Sequence, residues 1–154
     1  FQNAFANTPV CTPSRGSLLT GRHAWSCRCI ANDLRLPVDE TSIADVLGAR
    51  GYKCGYIGKW HLDGISRHMF TPPGPRRQGF DDYWAAYNCN HNYFEPKYYL
   101  DDSPELVREP GYDADVQTRQ AIEERIDQWF AFEQVIPFGI IEIGCQDGRF
   151  AGVA

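Results

Sequence analysis

The chain has 154 residues and a formal net charge of −5, with 43% hydrophobic and 23% charged residues. This length is enough for one domain with a buried core, and the composition is that of an ordinary globular protein. The basic residues are scattered, whereas a nucleic-acid-binding surface needs them clustered, and no apolar run approaches the length of a membrane-spanning helix. We therefore expect neither nucleic-acid binding nor a membrane span.

The cysteines do not fit either of the common cysteine-rich patterns. A small disulfide-stapled domain has denser cysteines in a shorter chain. A structural zinc site needs Cys-x2-Cys pairs, and one residue alone separates Cys27 from Cys29. We therefore expect no structural zinc site, and the sequence leaves open which cysteines pair in an oxidising compartment. The six are Cys11, Cys27, Cys29, Cys54, Cys89 and Cys145.

The first predicted elements surround Cys11. Residues 1–10 mix aromatic and small polar side chains and predict a strand and loop. From Pro13 onward the sequence predicts a short helix that ends at Gly21, because proline is tolerated in the first turn of a helix. Cys11 is thus predicted to lie at or just before the N-terminus of this helix.

A second helix and a strand follow. Residues 42–50 predict a helix in which Ser42 and Asp45 form a capping box. Residues 52–57 then predict a strand, and residues 58–61 the loop that leaves it.

The rest of the chain is loop-rich and then regular again. Residues 71–111 are rich in proline and aromatic residues. Residues 113–132 return to helical periodicity, and residues 135–143 predict a buried strand. Because helices and strands alternate along the chain, we expect an α/β architecture with a largely parallel sheet.

Residues 9–21 carry the first chemical motif and read PVCTPSRGSLLTG. Cys11 is followed by one free residue and Pro-Ser-Arg, then by two free residues, a hydrophobic pair and Thr-Gly. At each of these defined positions the stretch resembles the first signature of the formylglycine-dependent sulfatases. Alone, such a motif is moderately specific.

Residues 51–61 carry the second motif and read GYKCGYIGKWH. They resemble the second sulfatase signature, except that Cys54 stands where the family usually has Ser or Thr. This departure is minor because the position precedes Lys59 and His61. Both motifs occur in the family's order, with Lys59 following Cys11 by 48 positions, and together they are highly specific.

The resemblance extends over most of the chain. Residues 79–84 also look like a segment that follows in many sulfatases. The resemblance implies that residues 1–154 are a partial sulfatase catalytic domain, with a strong likeness over residues 1–124 and a weak one over residues 125–154. The implied fold is an alkaline-phosphatase-like α/β fold, with a mostly parallel sheet flanked by helices and present only in part.

The resemblance also implies a specific chemistry, cleavage of a sulfate ester. In the family, a dedicated maturation enzyme oxidises the signature cysteine, here Cys11, to formylglycine, whose aldehyde hydrates to a gem-diol. One hydroxyl attacks sulfur and the alcohol leaves; the other hydroxyl then expels sulfate as the aldehyde re-forms. This is covalent catalysis by a nucleophile with its own release step, and an unmodified thiol lacks the second hydroxyl. The implied substrate is a sulfated small molecule or carbohydrate.

Further site residues are implied by the same likeness. A divalent cation, usually Ca²⁺, would be bound by Cys11 in its formylglycine form. Arg15 lies one helical turn further on, within reach of the diol, and a helix N-terminus beneath Cys11 favours an anionic substrate. Lys59 resembles the lysine that bonds the diol and the sulfate, and His61 the histidine beside it. Alternation along an extended segment 59–61 would place both side chains on one side.

The resemblance leaves part of the metal site without a counterpart. The family's paired aspartates should precede the signature cysteine, and no Asp-Asp pair lies upstream of Cys11. The pairs at residues 81–82 and 101–102 lie downstream and do not match. The later metal ligands and a second lysine are expected beyond residue 154. We therefore expect the chain by itself to lack a complete calcium site and to be inactive alone.

Several alternatives stay open. A phosphonate or phosphate monoester hydrolase of the same superfamily would use the same nucleophile, and a non-catalytic truncated relative would bind anions or sugars at most. We assign His23 to structure, whereas His91 fits a sugar-binding rim or a turn. The family resemblance implies a periplasmic, secreted or lysosomal location, and the sequence does not choose among them.

Overall fold

A computed structural model describes residues 5–122 and the backbone of residues 145–146 and 149–150. Three α-helices, six strands and one 3-10 helix lie in this part of the chain. The helices are α1 (Cys11–Thr20), α2 (Ile43–Gly48) and α3 (Asp113–Ile122), and the 3-10 helix is Pro75–Arg77. The strands are β1 (Gly55–Lys59), β2 (Tyr83–Tyr87), β3 (Lys97–Leu100), β4 (Leu106–Arg108), β5 (Cys145–Gln146) and β6 (Arg149–Phe150).

Strands β1 to β4 form one sheet in that order, and β5 pairs antiparallel with β6. Strand β1 runs parallel to β2, with Lys59 opposite Tyr87, whereas β2–β3 and β3–β4 are antiparallel. The short connections after β2 and β3 explain this, because neighbouring strands joined by short loops pair antiparallel and parallel strands need a long crossover. The predicted α/β architecture is correct, but these four strands form a mixed sheet rather than a mostly parallel one.

Helix α1 positions the predicted nucleophile. It begins at Cys11, two residues before the predicted start, because the Ser14 amide already donates to the Val10 carbonyl at 2.9 Å. Pro13 fits within the first turn, where backbone N–H groups have no partner inside the helix. The helix ends as predicted at Gly21, whose φ of 65° is the left-handed conformation that favours glycine. Cys11 is therefore the first residue of the helix.

Helix α2 has the predicted capping box. The Ser42 hydroxyl accepts from the amide of Asp45 at 3.2 Å, and the Asp45 carboxylate accepts from the amide of Ser42 at 2.8 Å. This reciprocal pair satisfies amides that the first helical turn leaves without partners. The prediction of this helix start is confirmed.

Strand β1 is shifted from its predicted position. The structure has the strand at Gly55–Lys59 rather than at residues 52–57. Pairing with β2 sets these limits, since register continues from Gly55 opposite Tyr83 to Lys59 opposite Tyr87. Lys59 therefore lies at the end of a paired strand and not in the loop that follows it.

The sheet is covered on both faces. One face packs Tyr56, Trp84 and Ala86 into a core with residues of α1 and α2, and the other packs Ile57 and Ala85 toward α3. On the first face, the Tyr56 ring lies 4.9 Å from that of Trp60 and 5.5 Å from that of Trp84, distances typical of favourable aromatic pairs. These aromatic side chains are core residues.

Two predictions reach beyond the described residues. Helix α3 is described over Asp113–Ile122, within the helix predicted for residues 113–132. The remainder of that helix and the strand predicted for residues 135–143 lie outside the described part of the chain. Within that part, no helix is both long enough and apolar enough to cross a membrane.

Candidate active site

The candidate site lies where the N-terminus of α1 meets the carboxyl end of β1. Lys59 is the last residue of β1, and its Nζ lies 3.4 Å from the Sγ of Cys11. Cys11 is partly exposed, so its side chain is accessible in the structure. The sequence motifs therefore identified two side chains that are separated by 48 positions and that the fold places in contact.

Arg15 lies beneath Lys59. Its side chain is buried, and its Nη1 donates to the Tyr56 hydroxyl at 3.0 Å and to the Lys59 carbonyl oxygen at 2.5 Å. The Tyr56 hydroxyl donates to the same carbonyl at 2.7 Å. Arg15 does lie one helical turn after Cys11, and these contacts anchor the end of β1 to α1. Burial raises the pKa of Tyr56, so its hydroxyl stays protonated and able to donate.

His61 is 1% exposed and lies in the left-handed region with φ of 52°. The prediction of an extended segment 59–61 is therefore wrong, since this φ ends the strand alternation. The His61 carbonyl accepts from the Thr12 hydroxyl at 2.7 Å, and the His61 Nε2 lies 2.8 Å from Oδ1 of Asp33. These two bonds hold the backbone and the ring of His61 in this conformation.

Electrostatics keep His61 neutral. Burial lowers the pKa of the imidazole, the charges of Lys59 and Arg15 lower it further, and the hydrogen bond to Asp33 opposes them. Because its ordinary pKa of 6.5 is already below neutrality, the ring is uncharged at neutral pH and carries one acceptor nitrogen. The charges of Lys59 and Arg15 therefore act on the imidazole of His61.

Asp33 and Arg67 belong to the same cluster and have no counterpart in the sequence motifs. Oδ1 of Asp33 accepts from Nε of Arg67 at 2.9 Å, and Oδ2 accepts from Nη2 of Arg67 at 2.8 Å. This bidentate guanidinium, together with His61, holds the pKa of the Asp33 carboxyl well below its usual range. No local pattern links Asp33 to His61, 28 positions later, so the sequence analysis missed Asp33 and its partner Arg67.

The two other histidines that the sequence singled out lie apart from these contacts. The Nδ1 of His23 contacts the amide nitrogen of Asn7 at the surface. The Nε2 of His91 lies 3.4 Å from Sγ of Cys89, a residue that follows β2. These contacts leave the structural assignment of His23 a prediction and leave both interpretations of His91 open.

The described residues do not by themselves form a calcium site. Within residues 5–122 there is no group of three or more His, Cys, Asp or Glu side chains that could hold a metal ion. Ca²⁺ takes six to eight oxygen ligands, and Cys11 in its formylglycine form would supply oxygen from one residue. A calcium site would therefore need ligands from outside the described part of the chain.

Comparison with known proteins identifies the family. The model of the Sulfatase family matches residues 1–131. The overall fold is similar to that of solved structures, two of which are described below. The chain belongs to the sulfatase family, whose fold is alkaline-phosphatase-like.

Two relatives show how far the likeness extends. The chain is 50% identical over 106 residues to an ulvan-active sulfatase of Formosa agariphila, which covers 69% of this chain and 20% of that protein. It is 40% identical over 86 residues to human arylsulfatase A, which covers 52% of this chain and 16% of that protein. The chain thus spans about a fifth or less of the length of these curated relatives.

Two solved structures share the fold. The yidJ protein of Bacteroides fragilis, determined as a proposed sulfatase, has a TM-score of 0.78 and 28% identity, and covers 88% of this chain and 34% of that one. A protein solved in complex with its substrate D-glucosamine-2-N,6-O-disulfate has a TM-score of 0.65 and 29% identity, and covers 83% of this chain and 24% of that one.

Proposed function

We propose that the protein is a sulfuric ester hydrolase in which Cys11, oxidised to formylglycine, is the nucleophile. The observation that carries this proposal is the contact between Lys59 Nζ and Cys11 Sγ at 3.4 Å, at the first residue of α1. The sulfur of Cys11 stands where the diol oxygens of hydrated formylglycine would lie. The nucleophile and a cation for an anionic ester thus share one point in the fold.

The covalent steps are those of a nucleophile with two hydroxyls. One hydroxyl of hydrated formylglycine 11 would lose its proton and attack sulfur to form an S–O bond, and the S–O bond to the alcohol would break as that oxygen takes up a proton. The second hydroxyl then loses its proton, the aldehyde C=O re-forms, and the C–O bond to sulfate breaks. Water hydrates the aldehyde again, so the cycle consumes one water and releases the alcohol and sulfate.

The side chains around Cys11 supply charge and proton acceptance. The Lys59 ammonium donates toward the sulfate and stabilises the charge that develops during transfer. The N-terminus of α1 adds partial positive charge for an anion. Buried Arg15 adds a further cation and fixes the backbone of Lys59. His61, neutral at neutral pH, has an acceptor nitrogen for a proton from the second hydroxyl.

The cofactor and the partners follow from the family. Ca²⁺ bound by formylglycine 11 and by ligands outside the described residues would oppose the negative charge of the sulfate. A formylglycine-generating maturation enzyme is required because the gene-encoded residue is cysteine. A sulfated carbohydrate is the preferred substrate class, supported by the ulvan-active relative and by the neighbour solved with D-glucosamine-2-N,6-O-disulfate.

Hydrolysis assays on the full-length protein, matured to formylglycine, test this function. We expect turnover of an aryl sulfate, its loss in Cys11→Ala, and near wild-type rates in Cys54→Ser. The second variant is a matched control, since Cys54 is a buried cysteine whose Sγ lies 3.7 Å from the Ala44 carbonyl, a contact a serine hydroxyl can replace. Faster cleavage of an aryl phosphonate would indicate the related phosphonate hydrolases, and no turnover of either ester would indicate a non-catalytic relative.

A further inference from the structure

We propose that Asp33 is a positioning residue for His61, and that Arg67 balances its charge so that a carboxylate can lie beside a site for sulfate. This inference rests on the proposed sulfatase function and deepens it. It concerns how the imidazole acquires one orientation and one tautomer, a matter that the two sequence motifs do not address.

Asp33 determines the tautomer of His61. Asp33 is ionised and can only accept, so the imidazole Nε2, 2.8 Å from its Oδ1, must be the nitrogen that carries the proton. The Nδ1 is then the acceptor of the neutral ring. This nitrogen is buried and has no hydrogen-bond partner among the residues that the structure describes. A buried acceptor without a partner is costly, and a hydrogen bond from a hydroxyl of the reacting group would remove that cost.

An unusual backbone conformation brings Asp33 and His61 together. Asp33 and His61 both have left-handed φ values, 63° and 52°. Such conformations persist only where the surrounding structure fixes them, and they concentrate at functional sites. Here Thr12 fixes both, since its hydroxyl donates to the His61 carbonyl at 2.7 Å and accepts from the Asp33 amide at 3.3 Å. Thr12 directly follows Cys11, so the strained pair is tied to the nucleophile's helix.

Arg67 balances the negative charge of Asp33. A lone carboxylate next to His61 would repel an anionic substrate. Arg67 neutralises it through a bidentate pair, and one oxygen, Oδ1, accepts from both His61 Nε2 and Arg67 Nε. The charged groups acting on the imidazole are thus Lys59 and Arg15 from the proposed site and the paired Asp33. Asp33 can orient His61 while the net charge around the site stays favourable to sulfate.

Kinetics of the full-length, matured protein test the positioning role. Asp33→Ala removes the acceptor of Nε2, and we expect kcat to fall by roughly ten- to a hundredfold, as for other groups that orient a functional imidazole. Asp39→Ala is the matched control, because Asp39 also pairs with an arginine, Arg28 at 2.7 Å, but at the surface. It should change kcat by no more than about twofold. Equal effects of the two variants would overturn the proposal.

A double-variant cycle separates positioning from a general effect on the fold. If Asp33 acts through His61, Asp33→Ala should cost nothing further in a His61→Ala background. Independent, multiplying losses in the double variant would contradict the proposal. If Asp33→Ala does not fold, Asp33→Asn serves instead. Loss of the negative charge should then lower the pKa of His61 and shift the acidic limb of the kcat–pH profile to lower pH. An unshifted acidic limb would contradict the proposal.

One measurement does not depend on turnover. In full-length protein with labelled histidine, ¹⁵N spectra distinguish the protonated ring nitrogen from the bare one. We expect Nε2 to carry the proton in the native protein, and the ring to lose this preference in Asp33→Ala. A protein inactive on sulfate esters that still shows this pattern would refute the proposed function and support the role of Asp33. Protonation at Nδ1 in the native protein would refute the role of Asp33.

Discussion

Lys59 Nζ lies 3.4 Å from Cys11 Sγ, although 48 positions separate the two residues. Strand β1 delivers Lys59 at its carboxyl end, and α1 presents Cys11 as its first residue. Arg15 connects α1 to the end of β1, because its guanidinium donates a hydrogen bond to the Lys59 carbonyl. The contact therefore depends on the relative placement of a helix and a strand, and it brings the Lys59 ammonium against the proposed nucleophile.

Replacing Lys59 tests that placement. In the full-length enzyme, Lys59→Ala should lower kcat by about a hundredfold or more, because the ammonium acts on charge that grows during transfer. Lys53→Ala is the control, since Lys53 is largely exposed and lies 3.7 Å from Asp82. Steady-state kinetics on an aryl sulfate measure both. Equal and small effects would mean that Lys59 is not part of the catalytic machinery.

Arg67 should matter more for substrate binding than for turnover. Arg67→Met leaves the Asp33 carboxylate unpaired near the site, so repulsion of an anionic ester should raise KM severalfold, more than it lowers kcat, and added salt should reduce the defect. Arg28→Met, which breaks the exposed pair with Asp39, is the matched control. A fall in kcat at unchanged KM would be inconsistent with charge balance.

The pH dependence of stability should report His61 and Asp33. Burial lowers the pKa of His61 below 6.5. As the pH falls, the unfolded chain therefore binds this proton at a higher pH than the folded chain does. The contribution of His61 to stability is complete above pH 6.5 and is lost as pH falls through the folded pKa. The pKa of Asp33 is lowered from 3.8, chiefly by Arg67, so its contribution is lost at still lower pH.

Thermal unfolding of the full-length protein measures this slope. We expect His61→Gln to flatten the fall in midpoint just below pH 6.5, compared with the wild type in the same buffers. An equal slope in the wild type and the His61 variant would show that His61 is not held neutral by the fold.

Thiol reactivity should differ sharply between the cysteines. Burial, followed by the neighbouring Cys27, raises the pKa of Cys29 to about 12, and both side chains are fully buried. The thiolate is the reactive form, so Cys29 should resist iodoacetamide in the folded protein, and Cys27 should resist it because its side chain is fully buried. Partly exposed Cys11 should react when it has not been converted to formylglycine. Peptide mapping after brief labelling measures this, and early labelling at Cys29 would contradict the described packing.

The sequence predicts the parts of the site that local pattern encodes. The capping box of α2 and the end of α1 at Gly21 depend on residues a few positions apart, and both were predicted correctly. The motifs around Cys11 and Lys59 carry their chemistry in short windows. The resemblance of these windows to the two sulfatase signatures was therefore sufficient to predict both side chains as site residues.

Other features depend on tertiary contacts that no local pattern encodes. Register with β2 places β1 at Gly55–Lys59, which a propensity-based boundary misses. The left-handed φ of His61 follows from its bonds to Thr12 and to Asp33. Asp33 can be recognised as a partner of His61 only from the three-dimensional structure, which brings the two side chains into contact.

Mass spectrometry of the Cys11 peptide shows whether Cys11 becomes the formylglycine nucleophile. The full-length protein should be produced together with a formylglycine-generating enzyme. We predict that the peptide carries the mass of formylglycine at position 11, and that Cys54 in the same digest remains an unmodified cysteine. A Cys11 peptide found only with its thiol intact would contradict the account.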